Sequence, residues 1–390
     1  MKIPYARQNI SEEDIDEVVK VLKSDYLTQG PKVPEFESEV AKYCSSSYAV
    51  AVNSGTSALH IAYLALGVGI GDYVWTSPIT FVATANAALY CGAKVDFVDI
   101  DPFTNNMCPI RLEEKLKQAE VDRKLPKVVV PVHLSGQPSH LKEIYELSKK
   151  YSFKVVEDAS HAIGARYNES PVGSCEYSDI CVFSFHPVKI ITSGEGGMAL
   201  TNNLDYAQKM SRLRSHGITR DSEFMTNKPD GGWFYEQLEL GFNYRMTDIQ
   251  AALGLSQFKR IDQFTKERHK ISSLYNELIN HKGIDLNQDI KGSYSSKHLF
   301  IIRINPDFPF NRAQLYRSFS EEGILVNVHY RPVYKQEYYE QFQHNALDYK
   351  ESENYYREAL SIPMYVGLSE SQIEQVVEVI NKPLGYQNIF

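Results

Sequence analysis

Short apolar runs alternate with helical patterns through roughly the first 250 residues. Predicted strands lie at 48–52, 73–75, 94–98, 127–132, 153–156, 180–185 and 197–200. Between them, apolar side chains recur at helical spacing in stretches such as 58–66, 84–90 and 141–150. Strands that alternate with helices predict an α/β fold, with a mostly parallel sheet covered by helices on both faces.

The pattern changes after Thr247. Helical spacing runs from about residue 248 toward 278 with no strand in between. Strands are then predicted at 299–304 and 324–329, a helix near 313–321 and a last helix at 370–380. We therefore predict a large α/β domain at 1–250 and a smaller C-terminal α+β domain, with a long connecting helix, at 251–390.

Composition excludes several classes of function. The 390 residues carry 41 basic and 49 acidic side chains, a net charge of -8, without a dense Lys/Arg run. Such a protein has no general attraction to nucleic acid. Neither a signal peptide nor a membrane-spanning stretch is predicted. The five scattered cysteines fit neither a disulfide framework nor a zinc site, so we expect a cytoplasmic protein without a metal.

Polar residues follow two of the predicted strands, where ligands of doubly wound sheets bind. NSGTS at 53–57 suits a phosphate at a helix N-terminus, although serine and threonine also cap ordinary helices. Asp158 ends a later strand, and His161 follows three residues on. This carboxylate suits a protonated ring nitrogen, and the alternative is a helix N-cap.

A lysine lies in an otherwise apolar segment after a third strand. In FSFHPVKIITSGEGG at 183–197, Lys189 precedes a glycine cluster. A lysine isolated in a low-dielectric site has a lowered pKa and becomes a nucleophilic amine; the alternative is a side chain that lies along apolar surface with its amine in water. A phosphate cradle, a carboxylate for a ring nitrogen and a Schiff-base lysine are together what pyridoxal 5'-phosphate (PLP) needs.

Eight motifs are distributed over the whole chain: LTQGP at 27–31, NSGTSAL at 53–59, TFVATANA at 80–87, EDASHA at 157–162, FSFHPVKIITSGEGG at 183–197, GFNYRMTDIQAALG at 241–254, VHYRPVY at 328–334 and SIPMYVGLSE at 361–370. In these motifs the chain resembles the DegT/DnrJ/EryC1/StrS sugar aminotransferases. The resemblance implies a fold-type I PLP-dependent transferase that aminates a nucleotide-linked sugar.

The resemblance also implies roles for individual residues. Lys189 matches the Schiff-base lysine, Asp158 the acid that pairs with the pyridine nitrogen, and Phe81 the aromatic that stacks on the ring. His161 matches a residue beside the ring oxygen. The residues that match the phosphate ligands are Gly55, Thr56, Ser57 and Ser184. Asn243 matches an asparagine that reaches the neighbouring subunit's cofactor, which implies a homodimer with shared active sites.

For the substrates, the resemblance implies glutamate as donor and C4 of a UDP-linked 4-keto-6-deoxy-N-acetylhexosamine as acceptor. VVPVHLSGQP at 129–138 and the lysine segment resemble the branch of the family that makes a pseudaminic acid precursor. The candidate substrate ligands are Tyr26, Thr28, Gln29, His329, Tyr330 and Arg331. For each of these residues the alternative is an ordinary surface or capping role. For the substrate the alternative is another keto sugar.

The sequence argues against three other functions. A dehydratase of the same fold carries histidine where this chain has Lys189. A nicotinamide oxidoreductase needs a glycine fingerprint after a strand, whereas GVGIG at 67–71 follows a helix. A regulatory, non-enzymatic protein would need no complete set of cofactor residues.

Overall fold

The apolar runs of the first half of the chain pair into one seven-stranded sheet in the computed structural model, which describes residues 2–381. The strands are β1 (Tyr48–Val52), β2 (Tyr73–Thr76), β3 (Lys94–Phe97), β4 (Val128–Val130), β5 (Lys154–Asp158), β6 (Arg166–Tyr167), β7 (Ser170–Pro171), β8 (Ile180–Ser184), β9 (Gly197–Thr201), β10 (Ile218–Thr219), β11 (Glu236–Gln237), β12 (Ile284–Leu286), β13 (Ser293–Tyr294), β14 (Phe300–Ile304) and β15 (Ala359–Ile362). The large sheet has the order β1-β9-β8-β5-β4-β2-β3, and within it β9 alone is antiparallel to its neighbours. The predicted α/β fold with a mostly parallel, mixed sheet is confirmed.

Helices cover both faces of this sheet. The helices of the described residues are α1 (Glu12–Leu22), α2 (Lys32–Cys44), α3 (Gly55–Ala65), α4 (Val82–Tyr90), α5 (Pro109–Val121), α6 (Leu141–Tyr151), α7 (Leu204–Leu213), α8 (Asp248–Phe258), α9 (Ile261–Leu278), α10 (Arg312–Glu321), α11 (Lys350–Glu358) and α12 (Glu370–Asn381). Successive strand residues point to opposite faces. Val128 and Val130 accordingly join a core with α3 and α4, whereas Val129 joins one with α5 and α6.

A smaller antiparallel sheet, β12-β14-β15, organises the C-terminal part. Its core combines apolar side chains of α9, α10 and α12 with those of the sheet, among them Tyr275, Phe319 and Val376. The boundary near residue 250 stays a prediction, and 382–390 lie outside the described residues. No helix within 2–381 is long and apolar enough to span a bilayer.

The helical stretch predicted from about residue 248 toward 278 forms two helices in the structure, α8 and α9. Arg260 interrupts the helical path with φ -105° and ψ 11°. Its guanidinium bonds Asn9 and the buried carboxylate of Asp14. Because α8 packs in the core of the large sheet and α9 reaches the core of the small one, the chain changes direction between them.

The strand predicted at 324–329 is wrong. Ile324 pairs with Ile3, and the amide of Leu325 donates to the Ile3 carbonyl. Two residues later the partner changes, and Asn327 pairs with Ser361 of β15. Because the segment pairs first with one partner and then with another, it forms no continuous β-ladder and therefore no strand.

Candidate active site

A cleft of about 910 Å³ lies at the carboxyl ends of β1, β5 and β8. Residues 327–330 line it from the opposite side. Ten of the fifteen predicted site residues line this cleft: Gly55, Thr56, Ser57, Phe81, Asp158, His161, Ser184, Lys189, His329 and Tyr330. Parallel strands end at the same edge of a sheet, so segments far apart in sequence meet here.

The side-chain amine of Lys189 lies in this cleft and makes no hydrogen bond or ion pair with the described residues. The residue follows β8, and its backbone N–H donates to the carbonyl of His186 at 2.9 Å. Burial lowers the pKa of Lys189 to about 8, although the charge of Asp158 acts in the opposite direction. Roughly one in ten of these amines is therefore neutral and nucleophilic at pH 7, far more than for an exposed lysine.

Asp158, at the end of β5, is a buried carboxylate held by hydroxyl groups. It is 5% exposed. Oδ2 accepts from the Thr84 hydroxyl at 2.7 Å, and Oδ1 accepts from the Ser160 hydroxyl at 2.6 Å and from the Ser160 N–H at 3.2 Å. Within residues 2–381 it has no ion-pair partner. A buried carboxylate that makes no ion-pair contact suits a cationic group of a ligand.

The N-terminus of α3 forms a cradle for an anion. Ser54 caps the helix by accepting from the Ser57 N–H at 3.1 Å, and the Ser57 hydroxyl donates to Asn53 at 2.7 Å. The first N–H groups of a helix, here those of Gly55 and Thr56, have no partner inside it and attract anions.

Glycines bring this cradle close to the neighbouring strands. A Cβ on Gly197 would lie 2.5 Å from the Ser54 carbonyl, and one on Gly55 would lie 3.0 Å from the Cβ of Ser184. The hydroxyl of Ser184, at the end of β8, therefore adjoins the helix N-terminus.

His161 and Tyr330 form a pair on another side of the cleft. The Tyr330 hydroxyl lies 3.1 Å from His161 Nε2, and the buried Nδ1 of His161 has no partner within the described residues. Burial, together with the positive charge of Lys189, holds the pKa of His161 well below its usual range, so the imidazole is neutral at pH 7. Phe81 is 57% exposed, with its ring 6.1 Å from that of Tyr330.

These groups match the chemical parts of PLP. The helix N-terminus and Ser184 suit its phosphate, the buried Asp158 suits its protonated ring nitrogen, and the Lys189 amine suits its aldehyde. The exposed ring of Phe81 offers a face on which a pyridine ring can stack. This fold and this set of groups define a fold-type I PLP-dependent aminotransferase.

The chain belongs to the DegT/DnrJ/EryC1/StrS aminotransferase family, whose sequence profile matches residues 8–381. It is 39% identical, over 93% of its length and 92% of the relative's, to the UDP-4-amino-4,6-dideoxy-N-acetyl-beta-L-altrosamine transaminase of Campylobacter jejuni subsp. jejuni serotype O:23/36 (strain 81-176).

Two solved structures are similar to the whole chain. Helicobacter pylori PseC, an aminotransferase involved in the biosynthesis of pseudoaminic acid, has a TM-score of 0.89 and 30% identity, covering 98% of this chain and 99% of that one. Spr1654 from Streptococcus pneumoniae in its PLP form has a TM-score of 0.87 and 27% identity, covering 97% and 98%. PLP is therefore the cofactor, and the enzyme is a transaminase.

Five predicted site residues do not line the cleft. Tyr26 is 56% exposed, Thr28 pairs with Thr247, and Arg331 donates to the carbonyl of Lys335. The other two, Gln29 and Asn243, are exposed. Their roles stay predictions.

The sequence interpretation missed several residues of the site. The missed residues that line the cleft are Tyr5, Thr80, Ser160, His186, Glu195 and Asn327. Asn53 and Ser54 also line it, within the segment predicted to suit a phosphate. Thr84, which bonds Asp158, was missed too, although it lies within the TFVATANA motif beside Phe81. Tyr5 carries no local signal, because it reaches the cleft through the chain's N-terminal segment.

Proposed function

We propose that this enzyme transfers an amino group from glutamate to C4 of a UDP-linked 4-keto-6-deoxy-N-acetylhexosamine and so supplies a precursor of pseudaminic acid. The observation that carries the proposal is the free amine of Lys189 in a cleft that also holds the buried carboxylate of Asp158. The substrate is inferred from the names of the C. jejuni and H. pylori relatives.

The side chains of the cleft have different roles in amino transfer. PLP, when bound, draws electrons from the carbon that bears the transferred amine. Asp158 favours a proton on the ring nitrogen through its negative charge. Lys189 Nζ takes the proton from the carbon that bears the donor's amine and later delivers a proton to C4 of the sugar. A histidine at this position could not bind the cofactor covalently, which favours transamination over dehydration.

A substrate test follows from this proposal. UDP-linked 4-keto-6-deoxy sugars of both C5 configurations are offered with glutamate, and the aminated sugar and 2-oxoglutarate are measured. We expect amination of the L-arabino ketosugar, and none when glutamate is left out. Amination of the other configuration alone would remove the pseudaminic acid assignment. If the protein aminates neither sugar and stays colourless with PLP, the assignment as an aminotransferase is overturned.

We propose that the active unit is a homodimer in which Asn243 serves the neighbouring subunit's site. Two features support this proposal. Asn243 is exposed and does not line its own subunit's cleft. Among the described residues that line that cleft, Lys189 is the one lysine and none is an arginine. PLP and a nucleotide sugar together, however, bring three phosphate groups.

Complementation tests the shared site. Lys189→Ala and Asn243→Ala subunits, carrying different tags, are co-expressed and the heterodimer is purified through both tags. One of its two sites then has both residues intact, so we expect roughly half of the wild-type activity, although each parent homodimer is nearly inactive. A heterodimer no more active than its parents would show that Asn243 does not act across the interface.

A further inference from the structure

The hydrogen bonds of Asp158 leave one acceptor position open. A carboxylate has about four lone-pair directions, two on each oxygen. Oδ1 uses both, for the hydroxyl and the N–H of Ser160. Oδ2 uses one, for the Thr84 hydroxyl. The open position therefore lies on Oδ2, the oxygen that Thr84 holds.

Thr84 is itself part of a chain of hydroxyl groups. Its Oγ1 lies 2.7 Å from Asp158 Oδ2 and 3.2 Å from the Phe81 carbonyl, and it has one proton to donate. The shorter, charged contact is the stronger one. The Thr80 hydroxyl, 2.7 Å from Thr84 Oγ1, then donates to Thr84. Both threonines are buried, so the two bonds strengthen each other in a medium of low dielectric.

We propose that Thr84 is a positioning residue for the amino-transfer reaction: its hydroxyl, oriented by Thr80, fixes Oδ2 of Asp158 so that the open lone pair faces the ring nitrogen of PLP. This inference rests on the proposed role of Asp158. Without Thr84, Oδ2 loses the one donor that it has among residues 2–381, and the carboxylate can turn about its bond to Cβ. The carboxylate then stabilises the proton on the ring nitrogen less strongly.

Thr84→Val tests this inference, because valine keeps the size and branching of threonine and removes the hydroxyl. Two quantities are measured: the Kd of PLP for the apo-enzyme, and the pH midpoint of the visible absorption of the lysine-bound cofactor. We expect the Kd to rise about tenfold, since a hydrogen bond to a charged group is lost. We expect the midpoint to move to higher pH, because a less protonated ring withdraws less charge from the lysine linkage. Thr84→Ser should restore both values.

A matched control separates positioning from stability. Thr201 is also fully buried, and its hydroxyl donates to the Asp179 carbonyl at 2.7 Å at the opposite edge of the sheet. Thr201→Val should lower the melting temperature and leave the Kd of PLP and the pH midpoint unchanged.

The outcomes that overturn the inference are distinct from those that overturn the function. The role of Thr84 is rejected if Thr84→Val has the wild-type Kd and pH midpoint, or if Thr201→Val shows the same changes. In either case, PLP binding by the wild-type protein leaves the proposed function intact. If Thr84→Val does not fold, Thr80→Val decides: a midpoint shifted to higher pH supports the inference, and an unshifted one rejects it. Wild-type protein that binds no PLP would instead reject the function.

Discussion

Replacing Lys189 by alanine is expected to abolish covalent attachment of PLP and to lower the rate of amino transfer by at least about 10³-fold. Two contributions are lost together. Within residues 2–381, Lys189 is the one lysine that lines the cleft, so no other lysine of this part of the chain replaces it there. It is also the group whose pKa, lowered by burial to about 8, allows it to accept and return a proton near neutral pH.

Two variants serve as controls for this loss. Lys189→Arg keeps a positive charge in the cleft but has no amine that reacts with an aldehyde, and we expect it to be as inactive as the alanine variant. Lys42→Ala removes an exposed lysine of α2, away from the cleft, and should behave as wild type. Activity is followed as formation of 2-oxoglutarate, and attachment as the mass added after borohydride reduction. Turnover retained by Lys189→Ala would show that another group is the catalytic amine.

Much of this site is predictable from the sequence because its parts lie at strand ends. The apolar run before Asp158 and the one before Lys189 identify β5 and β8, and parallel pairing then places their ends together. Two residues 31 positions apart along the chain thus become neighbours by a general rule of α/β sheets rather than by detailed packing.

The differences from the structure arose where tertiary contacts outweigh local pattern. Helical periodicity continues across Arg260, and the break depends on its bonds to Asn9 and Asp14, about 250 residues earlier in the chain. The apolar segment after Ile324 has the composition of a strand, but its partners, Ile3 and Ser361, come from opposite ends of the sequence. No window of local sequence contains either set of partners.

The bond between Thr84 and Asp158 was missed for a similar reason. Threonine in the first turn of a helix is usually read as a capping or surface residue. Only the packing of α4 against the end of β5 brings its hydroxyl to a carboxylate 74 positions away. Groups that contact a cofactor lie in recognisable motifs, whereas the groups that orient them depend on how the elements pack.

Replacing Asp158 by asparagine is expected to lower kcat by about 10²–10³-fold while PLP stays covalently attached to Lys189. The amide has nearly the same shape as the carboxylate but no charge. When its oxygen takes the place of Oδ1 and accepts from Ser160, its NH₂ group takes the place of Oδ2, the position inferred to serve the ring nitrogen. An N–H donor facing that nitrogen favours the unprotonated ring, which draws electrons less strongly from the reacting carbon.

The visible spectrum separates this effect from loss of the cofactor. Asp158→Asn should remain yellow, with its pH midpoint moved to higher pH in the same direction as in Thr84→Val and by a larger amount, because here the charge itself is removed. Asp158→Glu keeps the charge on a longer side chain and should lose less activity than the amide variant. Asp205→Asn, at an exposed position in the first turn of α7, is the matched control and should be fully active. An Asp158→Asn enzyme with wild-type kcat would mean that the ring nitrogen does not depend on this carboxylate, and the role inferred for Thr84 would fall with it.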